Sequence, residues 1–304
     1  MNFADRLQAA IETTGNACLV GLDPHLDLLP DAFAHARDSN CPREDRAEAI
    51  ADFCCQTIGL VAGRVPAVKP QSAFFEVFGA DGARAWERVV ATARAAGLLV
   101  IGDVKRGDIA STAAAYATGL LDPAAAGAEH VCDAVTLSPY LGADSIGPFL
   151  EACARFDAGL YILVRTSNPG SADFQRHGDP ELSFLVAQRV HEWGADLVGD
   201  CGLSSVGAVV GATHGSELRA FRAAMPRTPF LLPGYGAQGA GAAELTDAFL
   251  PHSAPKGALV NSSRGITFAW RKPEHAGLDW KAATSRALDG MIADLDAALQ
   301  TAPG

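Results

Sequence analysis

The chain contains no uninterrupted apolar run of about 18 or more residues, the length that a membrane-spanning helix requires. Met1 to Glu12 carries neither a basic start nor a hydrophobic stretch of signal-peptide type, so the protein is expected to stay soluble in the cytoplasm. Cysteine is present without a framework: Cys18, Cys41, Cys54, Cys55, Cys132, Cys153 and Cys201 are odd in number and include no Cys-x-x-Cys pair. No cluster of His, Cys or carboxylates has metal-ligand spacing, so neither a zinc site nor a disulfide scaffold is expected. Basic residues are scarce, with 24 Lys+Arg against 35 Asp+Glu and a net charge of −11, which repels nucleic acid and anionic membrane surfaces. The expected partner is therefore a small molecule, and any anion it carries must be held by local cations. No fixed-period repeat, low-complexity tract or linker divides the sequence.

What is present is material for one large core. With 304 residues, 49% of them hydrophobic, the chain is long enough to bury roughly three quarters of its unfolded surface. Eight apolar runs of strand length recur: Ala17 to Leu22, Val65 to Lys69, Leu98 to Asp103, Ala134 to Ser138, Leu160 to Thr166, Val206 to Gly211, Phe230 to Pro233 and Ala258 to Asn261. Most read as buried on both faces, as parallel strands beneath helices do. Amphipathic segments lie between them, such as Ile50, Phe53, Cys54, Thr57 and Val61, and the last is Leu288, Met291, Ile292, Leu295 and Leu299. Eight strand-helix units over residues 1–304 predict a single (β/α)₈ TIM-barrel domain, with a doubly wound sheet as the alternative. A leading N-terminal helix carrying Phe3, Leu7 and Ile11 is expected to cap one end.

In such a barrel the strand ends carry the chemistry, because a core strand has no packing reason to finish in charge. The third strand ends Gly102-Asp103-Val104-Lys105-Arg106-Gly107-Asp108-Ile109, and the period of two turns Asp103 and Lys105 toward the same side. A carboxylate beside an ammonium favours the charged form of both, which suits Lys105 to proton donation rather than Schiff-base formation. The plainer reading is a structural ion pair with Asp108 capping the helix near Ile109. Three charges within six residues at a buried strand end favour a site. The first strand ends at Asp23 and the second at Lys69, extending an alternating Asp, Lys, Asp, Lys set around the mouth.

After the fifth strand, Thr166-Ser167-Asn168-Pro169-Gly170 reads either as a turn or as a place where Ser167 meets a planar polar ligand. Pro233-Gly234-Tyr235-Gly236-Ala237-Gln238-Gly239 and Asn261-Ser262-Ser263-Arg264-Gly265 follow strands seven and eight. Glycine-rich turns are common, but at this position, with the forked donor of Arg264, they suit a phosphate.

Together these segments resemble the orotidine 5′-phosphate decarboxylase family, most closely its larger bacterial branch. Asp103-Val104-Lys105-Arg106-Gly107-Asp108 is similar to that family's Asp-x-Lys-x-x-Asp signature, and the Asp23, Lys69, Ser167, Gln238 and Arg264 segments follow in the family's order. The resemblance implies conversion of orotidine 5′-phosphate to uridine 5′-phosphate and CO₂ in pyrimidine synthesis, without metal or organic cofactor. It further implies that Lys105 protonates C6 while Asp103 sits beside the departing carboxylate. A homodimer is implied, with Asp108, Ile109 and Thr112 reaching into the partner's site. Asp23 and Lys69 would bind ribose hydroxyls, Ser167 and Pro233 would meet the base, and Gln238, Arg264 and the backbone at Gly236 and Gly265 would hold the phosphate.

Two other functions compete. A Mg²⁺-dependent sugar-phosphate decarboxylase or synthase of the same superfamily would hold its metal with carboxylates on early strands, whereas the second strand here ends in Lys69, a cation that would oppose a metal. A non-catalytic nucleotide-binding regulator would have no need of a proton donor. A scaffolding protein would show repeats or an exposed apolar surface, and the sequence has no repeats.

Overall fold

The computed structural model of the chain describes residues 1–211, 215–236, 241–252 and 255–301. Eight parallel strands close into a barrel in sequence order: β1 (Cys18–Leu22), β2 (Ala67–Pro70), β3 (Leu99–Arg106), β4 (Ala134–Leu137), β5 (Gly159–Arg165), β6 (Val206–Val210), β7 (Phe230–Pro233) and β8 (Ala258–Ser262). Closure is made by β1 against β8, with Leu19 opposite Asn261, while Leu19 also faces Ala67 of β2. The doubly wound alternative is thereby excluded. Each strand is short and apolar because both of its faces are covered.

Alternate side chains of each strand point inward. Leu19, Ala67, Ile101, Tyr161, Val209, Leu231 and Leu259 fill the barrel interior, and Val20, Val68, Val100 and Val260 face the surrounding helices. The principal helices are α1 (Phe3–Thr14), α2 (Arg43–Val61), α3 (Gly79–Ala95), α4 (Ala110–Leu121), α5 (Ala143–Phe156), α6 (Leu182–Trp193), α7 (Gly215–Ala224) and α8 (Trp280–Thr301). Between β7 and β8 the described connection is a 3₁₀ segment, Ala242–Ala248, in place of the expected α-helix. None of the helices among the described residues is long and apolar enough to cross a membrane.

The leading helix plugs the barrel's foot. Asn2 caps it by accepting from the Asp5 N–H at 3.0 Å, and Gly15 ends it at φ 69°. Phe3, Leu7 and Ile11 repeat at intervals of four and all join the interior cluster. Phe3 meets Tyr161 edge-on at 6.2 Å between centroids, and its ring lies where a Cβ on Gly159 would come within 2.1 Å. Burying such a ring contributes about 2–3 kcal/mol. The foot is thus closed by packing, and a ligand has only the opposite end to enter.

Two loops shape that end. The segment after β1 forms two 3₁₀ turns, Leu26–Leu28 and Asp31–Arg37. The segment after β5 is tied back to the strand: Arg165 donates to Ser171 Oγ at 2.8 Å and to Glu217 Oε2 at 3.0 Å, while Gln175 Oε1 accepts from the Thr166 N–H at 2.8 Å.

Candidate active site

At the strand ends β2 and β3 meet in a charged triad. Lys69 Nζ lies 2.6 Å from Asp103 Oδ2, and Lys105 Nζ lies 2.5 Å from Asp103 Oδ1. Thr136 Oγ1 donates to Oδ1 and Gln71 Nε2 to Oδ2, each at 2.9 Å, so every direction around the carboxylate is occupied. Burial disfavours its ionised form, but the two ammonium groups outweigh that effect and hold Asp103 well below the usual carboxylate range. Burial likewise opposes the charge on Lys69, yet Asp103 and Asp23 raise its pKa above the usual value.

The two lysines differ in access. Both line the same cavity, but the side chain of Lys69 is 6% exposed and that of Lys105 is 46% exposed, so the Lys105 ammonium is the more open to a ligand. Lys105 adopts φ 42°, in the left-handed region, where the β3–β4 register shifts between Gly102 and Arg106. A non-glycine residue there costs about 1–3 kcal/mol and is held by its surroundings. Thr136 supplies the hold: its Oγ1 accepts the Lys105 N–H at 3.0 Å while donating to Asp103. The sequence reading ended β3 at Asp103; the strand instead continues through this irregularity to Arg106.

The triad forms one wall of a cavity of about 300 Å³ that Asp23, Ser167, Pro233 and Arg264 also line. Asp23 Oδ1 and Asn261 Oδ1 are buried there without hydrogen-bond partners among the described residues. Buried polar atoms are nearly always satisfied, so these acceptors suit ligand hydroxyl or N–H groups. The Arg264 side chain has no hydrogen-bond or ion-pair partner among the described residues, leaving its fork open to an anion. The cavity therefore offers cations from two parts of the chain, Lys105 and Arg264, together with buried acceptors.

Thr136, Gln71 and Asn261 were not singled out from sequence. A buried Thr in an apolar strand and an Asn ending one were the available signals, and both are common without function. Other expected residues lie elsewhere. Asp108 does not hold Lys105 within one chain; its Oδ1 accepts from the Ile109 N–H at 2.8 Å. Nor does it cap α4, which starts at Ala110 without a side-chain cap. Asp108, Ile109 and Thr112 stand outside the cavity, with Ile109 49% exposed. Gly236 and Gly265 line a neighbouring cavity toward α8, and Gln238 lies outside the described residues.

Among the described residues no group of three or more His, Cys, Asp or Glu stands close enough to hold a metal ion. The acceptors on Asp103 already face two ammonium groups, which would repel a divalent cation.

Residues 20–278 match the model of the orotidine 5′-phosphate decarboxylase / HUMPS family. The chain belongs to that family. It is 46% identical over 279 residues to an orotidine 5′-phosphate decarboxylase of Rhodopirellula baltica, covering 90% of this chain and 91% of the relative. A protein of the same name from Caldicellulosiruptor bescii is 36% identical over 287 residues, covering 92% and 93% of the two chains. Among solved structures, OMP decarboxylase from Leishmania donovani superposes with a TM-score of 0.73 at 32% identity, over 99% of this chain and all of that one. These relatives are named as decarboxylases.

Proposed function

We propose that this single-domain barrel converts orotidine 5′-phosphate to uridine 5′-phosphate and CO₂, the closing step of pyrimidine nucleotide synthesis, in the cytoplasm and without a cofactor. One observation carries the reading: the half-exposed side chain of Lys105, backed by Asp103 and Lys69, lines the same cavity as Arg264, which has no partner among the described residues.

In this scheme the phosphate is held by Arg264, with Gln238 and the backbone at Gly236 and Gly265 completing its site. Asp23 and Lys69 receive the ribose hydroxyls, and Ser167 and Pro233 receive the base. The C6–carboxylate bond breaks, its electron pair stays on C6, and CO₂ departs. The Lys105 ammonium stabilises that pair and then transfers a proton to it, forming the C6–H bond; water returns a proton to the amine. Asp103 fixes the position of Lys105. Binding energy from the remote phosphate organises the reacting end.

The active unit is a homodimer in which Asp108, Ile109 and Thr112 complete the partner's site. Their place outside their own cavity supports this, as do the exposed apolar side chains of Ile109, Tyr116, Tyr140 and Leu141. The seven free cysteines support a reducing compartment.

The test is loss of orotidine 5′-phosphate absorbance with purified protein after exhaustive chelation. Full-rate turnover is expected. Activity that returned only with added Mg²⁺ would transfer the chain to the sugar-phosphate branch.

A further inference from the structure

The turn after β7 presents Tyr235 between Gly234 at φ 107° and Gly236 at φ 72°, backbone conformations that glycine enters freely. The glycines let the turn pivot about Tyr235, whose backbone is held by a single β-bridge, so its side chain supplies a second restraint. The Tyr235 ring lines the proposed substrate cavity together with Arg264. It also lines the second cavity, of about 390 Å³, which reaches Gly290 and Met291 on α8. Its hydroxyl donates to Asp294 Oδ2 at 2.6 Å, across 59 residues of sequence. Burial, reinforced by the Asp294 carboxylate, raises the phenol above its usual pKa, so it remains a donor at neutral pH.

Asp294 touches neither cavity and has no other polar partner among the described residues. It stands on a firm support, because Met291 and Leu295 of the same helix are buried in the core. Helix α8 therefore acts as a fixed post, and the glycine-flanked turn is the part it restrains.

We propose that Tyr235 and Asp294 form a positioning pair through which α8 holds the turn after β7 at the spacing from Arg264 that a substrate phosphate requires. This inference rests on the decarboxylase reading above. Asp294 contributes to recognition of the phosphate end without touching the ligand, and it makes no contact with the charged triad at the reacting end.

The experiment compares orotidine 5′-phosphate with orotidine, which lacks the phosphate, in steady-state kinetics. Asp294→Ala should raise KM for orotidine 5′-phosphate about fivefold, the effect of losing one charge-assisted hydrogen bond, with kcat nearly unchanged. Turnover of orotidine should not change. Asp294→Asn, which keeps an acceptor oxygen, should restore KM. Tyr235→Phe should match Asp294→Ala, and the double variant should be no worse than either single one. Inorganic phosphate affinity, measured by calorimetry on the same proteins, should fall by the same factor.

A wild-type KM in Asp294→Ala, effects that multiply in the double variant, or failure of Asp294→Asn to restore KM would each overturn the pairing. Absence of decarboxylation in the wild-type protein would instead overturn the functional reading, and the phosphate titration would still judge the pair.

Discussion

Asp133, just before β4, and Asp103, on β3, are each 5% exposed, and each is held by two cations. At the foot of the barrel Asp133 accepts from Arg6 at 2.5 Å, Arg94 at 3.1 Å and the Val100 N–H at 2.9 Å. Both guanidiniums also reach backbone carbonyls, at Asp157 and Val131, and the cluster ties α1, α3 and the starts of β3 and β4 together. At the mouth, Asp103 holds two lysines whose ammonium groups are compact point charges, both lining a cavity and one of them half exposed. A buried charge cluster is therefore not in itself a sign of function. Arginine forks shared among carbonyls lock a junction, whereas a lysine with a carboxylate behind it and open space in front has the access that the proposed proton transfer requires.

The sharpest way to test that contrast is Lys105→Ala. Loss of kcat by roughly 10⁴-fold is expected from removal of the proton donor, with uridine 5′-phosphate binding still detectable by calorimetry. Thermal stability should change by less than about 1 kcal/mol, because Lys105 is half exposed and Asp103 keeps its other three partners. Near-normal kcat would remove Lys105 from the reaction.

The second test extends the comparison to Asp108, which belongs to neither cluster. Under the shared-site dimer, mixing Lys105→Ala chains with Asp108→Ala chains should recover roughly a quarter of the sites after free subunit exchange. No recovery, once native mass spectrometry had confirmed heterodimers, would return Asp108 to a local role beside Ile109.

The opposite result is expected at the foot. Asp133→Asn should destabilise the fold by about 3 kcal/mol in denaturant unfolding, since two guanidiniums lose their carboxylate, while kcat stays near wild type. A stable but inactive Asp133→Asn protein would abolish the distinction between the two clusters.

The smallest effect expected is one of pH. Asp103 has a lowered native pKa, so its contribution to stability is present above the ordinary carboxylate value of about 4 and is lost as pH falls through the native one. Lys69 has a raised native pKa, so its contribution is complete below about pH 10 and is lost as pH rises through the native value. Neither titrates between about pH 5 and 9. The stability difference between wild type and Asp103→Asn should therefore be constant over that range and narrow only in stronger acid. A difference that varied near neutrality would place a titrating group inside the triad.

All eight strands were legible from sequence within a few residues, because burial on both faces imposes short apolar runs that are local properties of the chain. The strand-end charges were legible for the same reason: Asp23, Lys69, Lys105 and Arg264 each stand out against the apolar run before them. Thr136 and Asn261 did not stand out, since a polar residue inside or ending a strand acquires meaning only from what it faces. Asp133 was overlooked because its partners come from a helix at the start of the chain and another between strands two and three.

Composition and periodicity determined the barrel, its leading helix and the end at which charges gather, because each follows from which residues must be removed from water along a regular element. The Asp103–Lys105 pair is local and was legible, whereas the other partners of Asp103 were decided only by the packing of neighbouring strands. The Lys69 and Thr136 contacts to Asp103 span 34 and 33 residues, and the Tyr235 contact to Asp294 spans 59. Such pairings depend on strand register, on the bulge that turns Lys105 and on where α8 comes to rest. A one-residue shift in register would point the same side chains to the other face, and no local pattern records that choice.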